Sequence, residues 1–213
     1  MKKLKMKKNT YAGKLITFCG LDGCGKSTMI DYLSEELGMQ GYSVFITKQP
    51  TDYVRGSKIF RTYMDEPNHD EFDYRSLSLL CASDRIQHTN KVIIPALKAG
   101  NIVLCDRYYY SCLANLIARG FNDDKWIYEV SKYLIKPDVA FFLDVPVDEA
   151  ISRVRRRLDE KDRYIDIPLQ YALRDAYLNI CKKNGGVLVN TDSSISESLG
   201  IIKKSTERVL GDE

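Results

Sequence analysis

Short apolar runs alternate along the chain with longer stretches in which apolar positions recur every three or four residues. The short runs, at 15–19, 42–47, 102–105, 139–145 and 187–189, read as strands. The longer stretches read as helices. They cover 27–39, a long region at 74–99 with a bend near Pro95, a segment starting at Ser111, and 124–135, 147–158, 168–183 and 195–210. Strand–helix alternation with short joints predicts a parallel sheet wrapped by helices on both faces. The strands are apolar nearly throughout, as parallel strands buried on both faces must be. The expected class is therefore α/β, in three layers.

At 213 residues the chain is the size of one domain. With 44% hydrophobic and 29% charged residues it can bury an ordinary core. That excludes wholesale disorder, a collagen-like chain and a disulfide-stapled miniprotein. No apolar run approaches the roughly 20 residues of a membrane-spanning helix. The net charge of +3 is concentrated at one end: residues 1–9 hold five lysines and no acid, and taking those five away leaves −2 for the remainder. A body so near neutrality is not that of a general nucleic-acid binder. Residues 1–13 are expected to be a basic, flexible tail and 14–213 a single domain. The tail is not expected to be a secretory signal, because the apolar stretch after it is short and runs into Gly20 and Asp22. Six cysteines (19, 24, 81, 105, 112 and 181) form no C-x-x-C pair and lie mostly in or beside apolar segments. They fit reduced thiols in a cytoplasmic protein better than disulfides or zinc.

The strongest chemical signal is Gly20-Leu21-Asp22-Gly23-Cys24-Gly25-Lys26-Ser27, a full GxxxxGK[ST] match between a predicted strand and a predicted helix. Glycines at 20, 23 and 25 let the backbone wrap around phosphates with its N–H groups pointing inward, and the helix N-terminus adds positive potential. Lys26 is placed to reach β- and γ-phosphates, and the Ser27 hydroxyl to ligate Mg²⁺. The motif predicts binding of a nucleoside triphosphate without specifying the reaction.

A second signal stands at the end of the strand 102–105, where Asp106-Arg107-Tyr108 follows. A carboxylate at the C-terminal end of a parallel strand sits beside the phosphate site, suited to Mg²⁺ or to orienting an acceptor. The adjacent guanidinium is a fork suited to a phosphate. The charge-dense stretch 153–163, with six cations and three acids, looks like a mobile excursion from the body.

Several ordered stretches resemble the thymidylate kinase family of P-loop nucleoside monophosphate kinases. They are Phe18–Thr28, Gly41–Pro50, Leu79–His88, Asp106–Ser111, Pro137-Asp138 and Leu143–Pro146, and the likeness covers about residues 14–205. The resemblance implies a P-loop NTPase fold and transfer of the γ-phosphoryl of ATP to a nucleoside monophosphate, with Mg²⁺. It implies ATP contacts along Gly20, Gly23, Cys24, Gly25, Lys26, Ser27 and Thr28. It places Asp22 near the acceptor, Arg107 on the acceptor phosphate and Arg85 on the acceptor base. Lys48, Cys81, Asp106, Ser111 and Asn115 fall at the other acceptor-side positions, with Mg²⁺ expected at Ser27 and Asp106. The stretch 153–166 falls where the family carries a lid over ATP. Since the phosphate loop has no arginine at 21–24, the lid is expected to supply catalytic arginines, with Arg153, Arg157 and Arg163 chosen among its five. The loop Asn190–Ser194, including Asp192, is expected beside the adenine. The family also suggests a homodimer paired through the apolar helix at 77–94. No membrane and no specific nucleic acid is expected as a partner.

The chain departs from the family pattern on the acceptor side. Members usually carry glutamate where Cys19 stands, arginine and glutamate at Lys48 and Gln49, a base-stacking phenylalanine at Cys81, an aromatic residue near Asn115 and a glutamine at Leu116. Tyr74, Tyr109 and Tyr110 are candidates to replace the missing aromatic face. The leading expectation is phosphorylation of dTMP to dTDP. Beside it stand a kinase for another nucleotide or a nucleoside, and a non-catalytic nucleotide-binding protein.

Overall fold

The protein is described by a computed structural model that covers residues 2–211; Met1, Asp212 and Glu213, which fall within the expected tail and domain, lie outside it. Five strands form one fully parallel sheet in the order β2-β3-β1-β4-β5: β1 Lys14–Cys19, β2 Val44–Lys48, β3 Ile102–Asp106, β4 Val139–Asp144 and β5 Val187–Asn190. Helices α1 (Lys26–Met39) and α10 (Ile195–Gly211) pack on one face. The other face carries α4 (Tyr74–His88), α5 (Ile94–Lys98), α6 (Tyr109–Ala118) and α9 (Ile167–Asn184). The three-layer α/β architecture expected from the alternation is therefore present. The central strands β1, β3 and β4 are buried almost throughout. The edges are not: Ile46 on β2 and Leu188 on β5 are each 49% exposed, so uniform apolarity does not mark the whole sheet as buried.

Two short helices escaped the periodicity reading, α2 (Asp52–Arg55) and α3 (Lys58–Asp65). The four residues of α2 are too few for a 3.6-residue pattern to register, whereas α3 does carry an amphipathic pattern. The region 74–99 is α4 followed by a π turn at Thr89–Ile93 and then α5. Pro95 gives the reason, since its ring would strike the carbonyl four residues earlier and the wider turn makes room. Helix 124–135 shrinks to α7 (Trp126–Val130) and a 3₁₀ turn. Helix α8 (Val147–Arg155) ends just inside the charge-dense stretch, and Asp166 caps the start of α9 by accepting from Leu169 N at 3.0 Å.

The expected flexible tail is corrected by the structure. Lys3, Leu4, Lys5, Met6 and Lys7 alternate outward and inward: Leu4 is 7% exposed and Met6 packs on the core, while the lysines face out. Leu4 N donates to Asn184 Oδ1 at 3.0 Å, Lys5 N to Ser131 Oγ at 2.9 Å, and Lys7 N to Leu134 O at 2.9 Å. One buried and one half-buried apolar anchor, with a single bridge from Lys7 to Ile135, outweigh the mutual repulsion of solvated lysines.

Candidate active site

The parallel register brings two strand ends together. Phe18 pairs with Asp106 on β3, so the loop leaving β1 and the Asp106-Arg107 step share the C-terminal edge of the sheet. Gly20 has φ 145° and Gly23 φ 83°. A Cβ at Gly20 would lie 2.5 Å from Leu143 O, and one at Gly23 would run into Ala150 O. Only glycine fits both the backbone angle and the space. Lys26 is buried and turns back to donate to Leu21 O at 2.7 Å. Ser27 and Thr28, at the open start of α1, are exposed. Cys24 is buried, and its carbonyl accepts from Thr191 Oγ1 at 3.0 Å, which ties the phosphate loop to the loop after β5. Arg153 donates to Thr191 O at 3.0 Å, beside the exposed Asp192.

Arg107 is the hub. Its φ of 63° is left-handed, a strained setting for a residue with a side chain, and its N–H donates to Phe18 O at 2.8 Å. Nη1 donates to Gly20 O at 3.0 Å and to Tyr177 OH at 3.1 Å, while Nη2 donates to Asp22. Of the five guanidinium N–H groups, Nε–H and one on Nη2 are left over, a side-on fork of the kind that grips a phosphate. Tyr177 OH passes the contact on to Ser111 Oγ at 3.0 Å. Burial works against the ionised Asp22 carboxyl, but Arg107, Lys26 and Arg163 outweigh it and hold the group well below the usual carboxylate range. Asp106 presents Oδ1, buried and without a hydrogen-bond partner. A carboxylate oxygen and the exposed Ser27 hydroxyl are donors of the hard kind that suits a cation such as Mg²⁺.

From Arg107 a cavity of about 270 Å³ runs outward between α3, α4, α6 and the lid. Arg85, Cys81, Ser111, Asn115 and Asp22 all line it. Arg85 is held by Cys81 O at 3.0 Å and Tyr108 O at 3.4 Å. Lys48 is not in the lining; it is exposed and pairs with Asp52 at 3.1 Å. Of the three chosen lid arginines only Arg163 reaches the site, pairing with Asp22 at 3.1 Å. Arg157 is 46% exposed and pairs with Glu160, and Arg153 is occupied by Glu149 and Thr191 O. Tyr109 and Tyr110 do not supply an aromatic face, because both are core residues, Tyr109 bonded to Ile127 O at 2.9 Å and Tyr110 packed on Phe142. Tyr74 does line the cavity. Leu116 is buried, and burial pushes the Cys19 thiol up to about 12, so neither acts in the cavity.

Sequence reasoning missed Arg55, Tyr63, Tyr177 and Arg119, all in the lining. Arg55 is the last residue of α2, the short helix that follows β2 after the loop 49–51, and its Nε donates to Pro50 O at 2.8 Å. Its place just past a strand end is the one signal that pointed to it. Tyr177 looked like any apolar-face residue of a helix.

Comparison with known proteins agrees with this geometry. A family model described as thymidylate kinase matches residues 18–200. A probable thymidylate kinase of Pyrococcus horikoshii is 39% identical over 190 residues, 87% of this chain and 91% of that one. A probable thymidylate kinase of Thermococcus kodakarensis is 35% identical over 200 residues, 91% of this chain and 97% of the relative. A thymidylate kinase of Geobacillus sp. (strain WCH70) is 33% identical over 189 residues, 85% of this chain and 89% of the relative. With most of its length matched in both directions, and with its phosphate loop, its Asp106-Arg107 step and its lid meeting around one cavity, the chain belongs to the thymidylate kinase family.

Proposed function

We propose that the protein transfers the γ-phosphoryl group of ATP to a nucleoside monophosphate, dTMP giving dTDP. The observation that carries the reading is Arg107: its uncommitted fork lines the cavity beside the phosphate loop, with Arg55 next to it and Arg85 farther along. The glycine loop and Lys26 hold the donor's phosphates, and Arg107 and Arg55 hold the acceptor phosphate in line with them. An acceptor phosphate oxygen attacks the γ-phosphorus as the bond to the β–γ bridging oxygen breaks, leaving ADP. Arg163, anchored on Asp22, brings a second guanidinium to the charge that spreads over the transferred group. Ser27 and Asp106 are the residues that would hold Mg²⁺, which supplies charge neutralisation on the donor phosphates when bound. The positions of Asp192 and Arg153 support an adenine site by the loop after β5. Pairing of two copies through α4 is supported by Leu79, which is 49% exposed on that helix. A cytoplasmic location is supported by six free cysteines, and no helix among the described residues is long and apolar enough to cross a membrane.

Asn115 in the lining favours a second reading, a ribonucleoside monophosphate acceptor, because a small amide leaves room that an aromatic ring would fill. A coupled assay of ADP release across dTMP, dUMP, UMP, CMP, dGMP and thymidine tests both. Preferred turnover of dTMP supports the first reading, and preferred turnover of UMP the second. Thymidine as the better acceptor overturns both, since a nucleoside has no phosphate for Arg107.

A further inference from the structure

The edge of the sheet opposite the active site is strongly basic. Lys3, Lys5 and Lys7 face outward from the seated N-terminal segment, which lies against residues 131–136 just before β4. Lys136 N donates to Lys7 O at 2.6 Å, and Lys132 follows Ser131, whose Oγ accepts from Lys5 N. Asn184, which accepts from Leu4 N, follows Lys182 and Lys183 in the last turn of α9. Segments 2–9, 128–138 and 182–185 together carry nine lysines and two acids. Both acids are engaged: Glu129 pairs with Lys132 at 3.3 Å, and Asp138 accepts from Asn9 Nδ2 and from Leu15 N, each at 2.7 Å. Among the described residues Lys3, Lys5, Lys7, Lys136, Lys182 and Lys183 form no ion pair.

Gathering like charges costs stability, and the burial of Leu4 opposes that cost. A loose tail would spread the lysines, whereas this segment fixes them in a row. Alternate residues of an extended chain stand about 6.6 Å apart, so Lys3, Lys5 and Lys7 form a rail. Its repeat is close to that of the phosphates along an extended polynucleotide. An open ring stands beside it: Tyr133 is 52% exposed, and the Lys132 Nζ lies 5.5 Å from its centroid. A cationic track with an aromatic face is how proteins hold single-stranded nucleic acid without reading its sequence. Tyr133 is the one large apolar side chain exposed on these three segments, so the face has no apolar stripe to enter a lipid surface.

We propose that this face binds an extended single-stranded polynucleotide independently of sequence, with phosphates along Lys3, Lys5 and Lys7 and a base on Tyr133. The face lies where β1 and β4 begin, whereas the phosphate loop and Arg107 stand at the C-terminal edge of the sheet. The inference is therefore independent of the kinase reading above.

The test is fluorescence anisotropy of the full chain with a fluorescein-labelled oligo(dC) of about 20 nucleotides, across about 50 to 200 mM salt. Expected is a Kd of roughly 10–100 µM near the physiological end of that range. The slope of log K on log salt is expected at about −3 to −5, from roughly four to seven neutralised phosphates at about −0.7 each. Combining Lys3→Ala, Lys5→Ala and Lys7→Ala weakens binding about tenfold or more and makes the slope shallower by about 2. Tyr133→Ala weakens it roughly fivefold at an unchanged slope. Combining Leu4→Gly and Met6→Gly releases the segment without removing a charge, and weakens binding about threefold or more through lost preorganisation. The kcat and the KM for ATP stay near wild type in all three variants. Absence of binding at about 50 mM salt overturns the inference, as does displacement by saturating ATP and dTMP. So does tighter binding of duplex DNA, or of phosphatidylserine vesicles, than of the oligonucleotide. A Leu4→Gly/Met6→Gly variant that binds like wild type overturns it too, since a loose tail would then suffice. Each of these results leaves the kinase reading intact.

Discussion

Changing Asp22 to asparagine removes the carboxylate on which Arg107 and Arg163 both end. The side chains are 35% exposed for Asp22, 16% for Arg107 and 18% for Arg163. Breaking a fully buried pair costs about 3–5 kcal/mol, whereas an exposed pair contributes about 0–1 kcal/mol. Two half-buried pairs, partly screened by solvent, place the loss at about 2 kcal/mol at neutral pH. The pH dependence follows from linkage. Burial favours the neutral acid, but Arg107, Lys26 and Arg163 overcome it and depress the carboxyl in the folded protein. A depressed folded value contributes stability that is fully present above the unfolded value of about 3.9 and is lost as pH falls from there toward the folded one. The stability gap between wild type and Asp22→Asn is therefore flat from about pH 8 to about pH 5 and narrows below about pH 4. Urea unfolding at constant salt across this range reads it directly. A gap under about 0.5 kcal/mol at neutral pH, or one unchanged down to about pH 3, would refute the reasoning.

Gly23→Ala forces a side chain into φ 83° and into the Ala150 carbonyl, so it lowers stability by about 3 kcal/mol and abolishes ATP binding, read by thermal melting and nucleotide titration. Arg163→Ala lowers kcat by roughly tenfold or more, whereas Arg157→Ala leaves it within about twofold; equal losses would contradict the placement of the two on the lid. Leu4→Ala costs about 2 kcal/mol in denaturant unfolding if the N-terminal segment is seated as described, and nothing if it is free.

The legibility of this chain was uneven for physical reasons. The central strands and longer helices were readable because burial on both faces, or on one helical face, leaves a period in the sequence. The phosphate loop was readable because its backbone angles admit little but glycine. Helix α2 was not, since four residues are too few to display periodicity; it carries Arg55, as α3 carries Tyr63, to the cavity. The lysine run masks a strand pattern, because only two apolar residues, Leu4 and Met6, alternate with the charges. Arg163 could not be separated from Arg157 by sequence, as six residues of irregular chain decide which one turns inward.

The central claim is that a cradle of main-chain amides holds one phosphate chain while Arg107 grips a second anion beside it. It is tested most directly by a crystal structure with a mimic in which adenosine and thymidine are joined through phosphates. The expected result is a line of phosphates from the Gly20–Ser27 loop to Arg107, with the Nε and Nη2 fork on the thymidine-side phosphate and the base between α4 and α6. A structure in which Arg107 stays bound only to Asp22, Gly20 and Tyr177, with the thymidine outside the cavity, would contradict it.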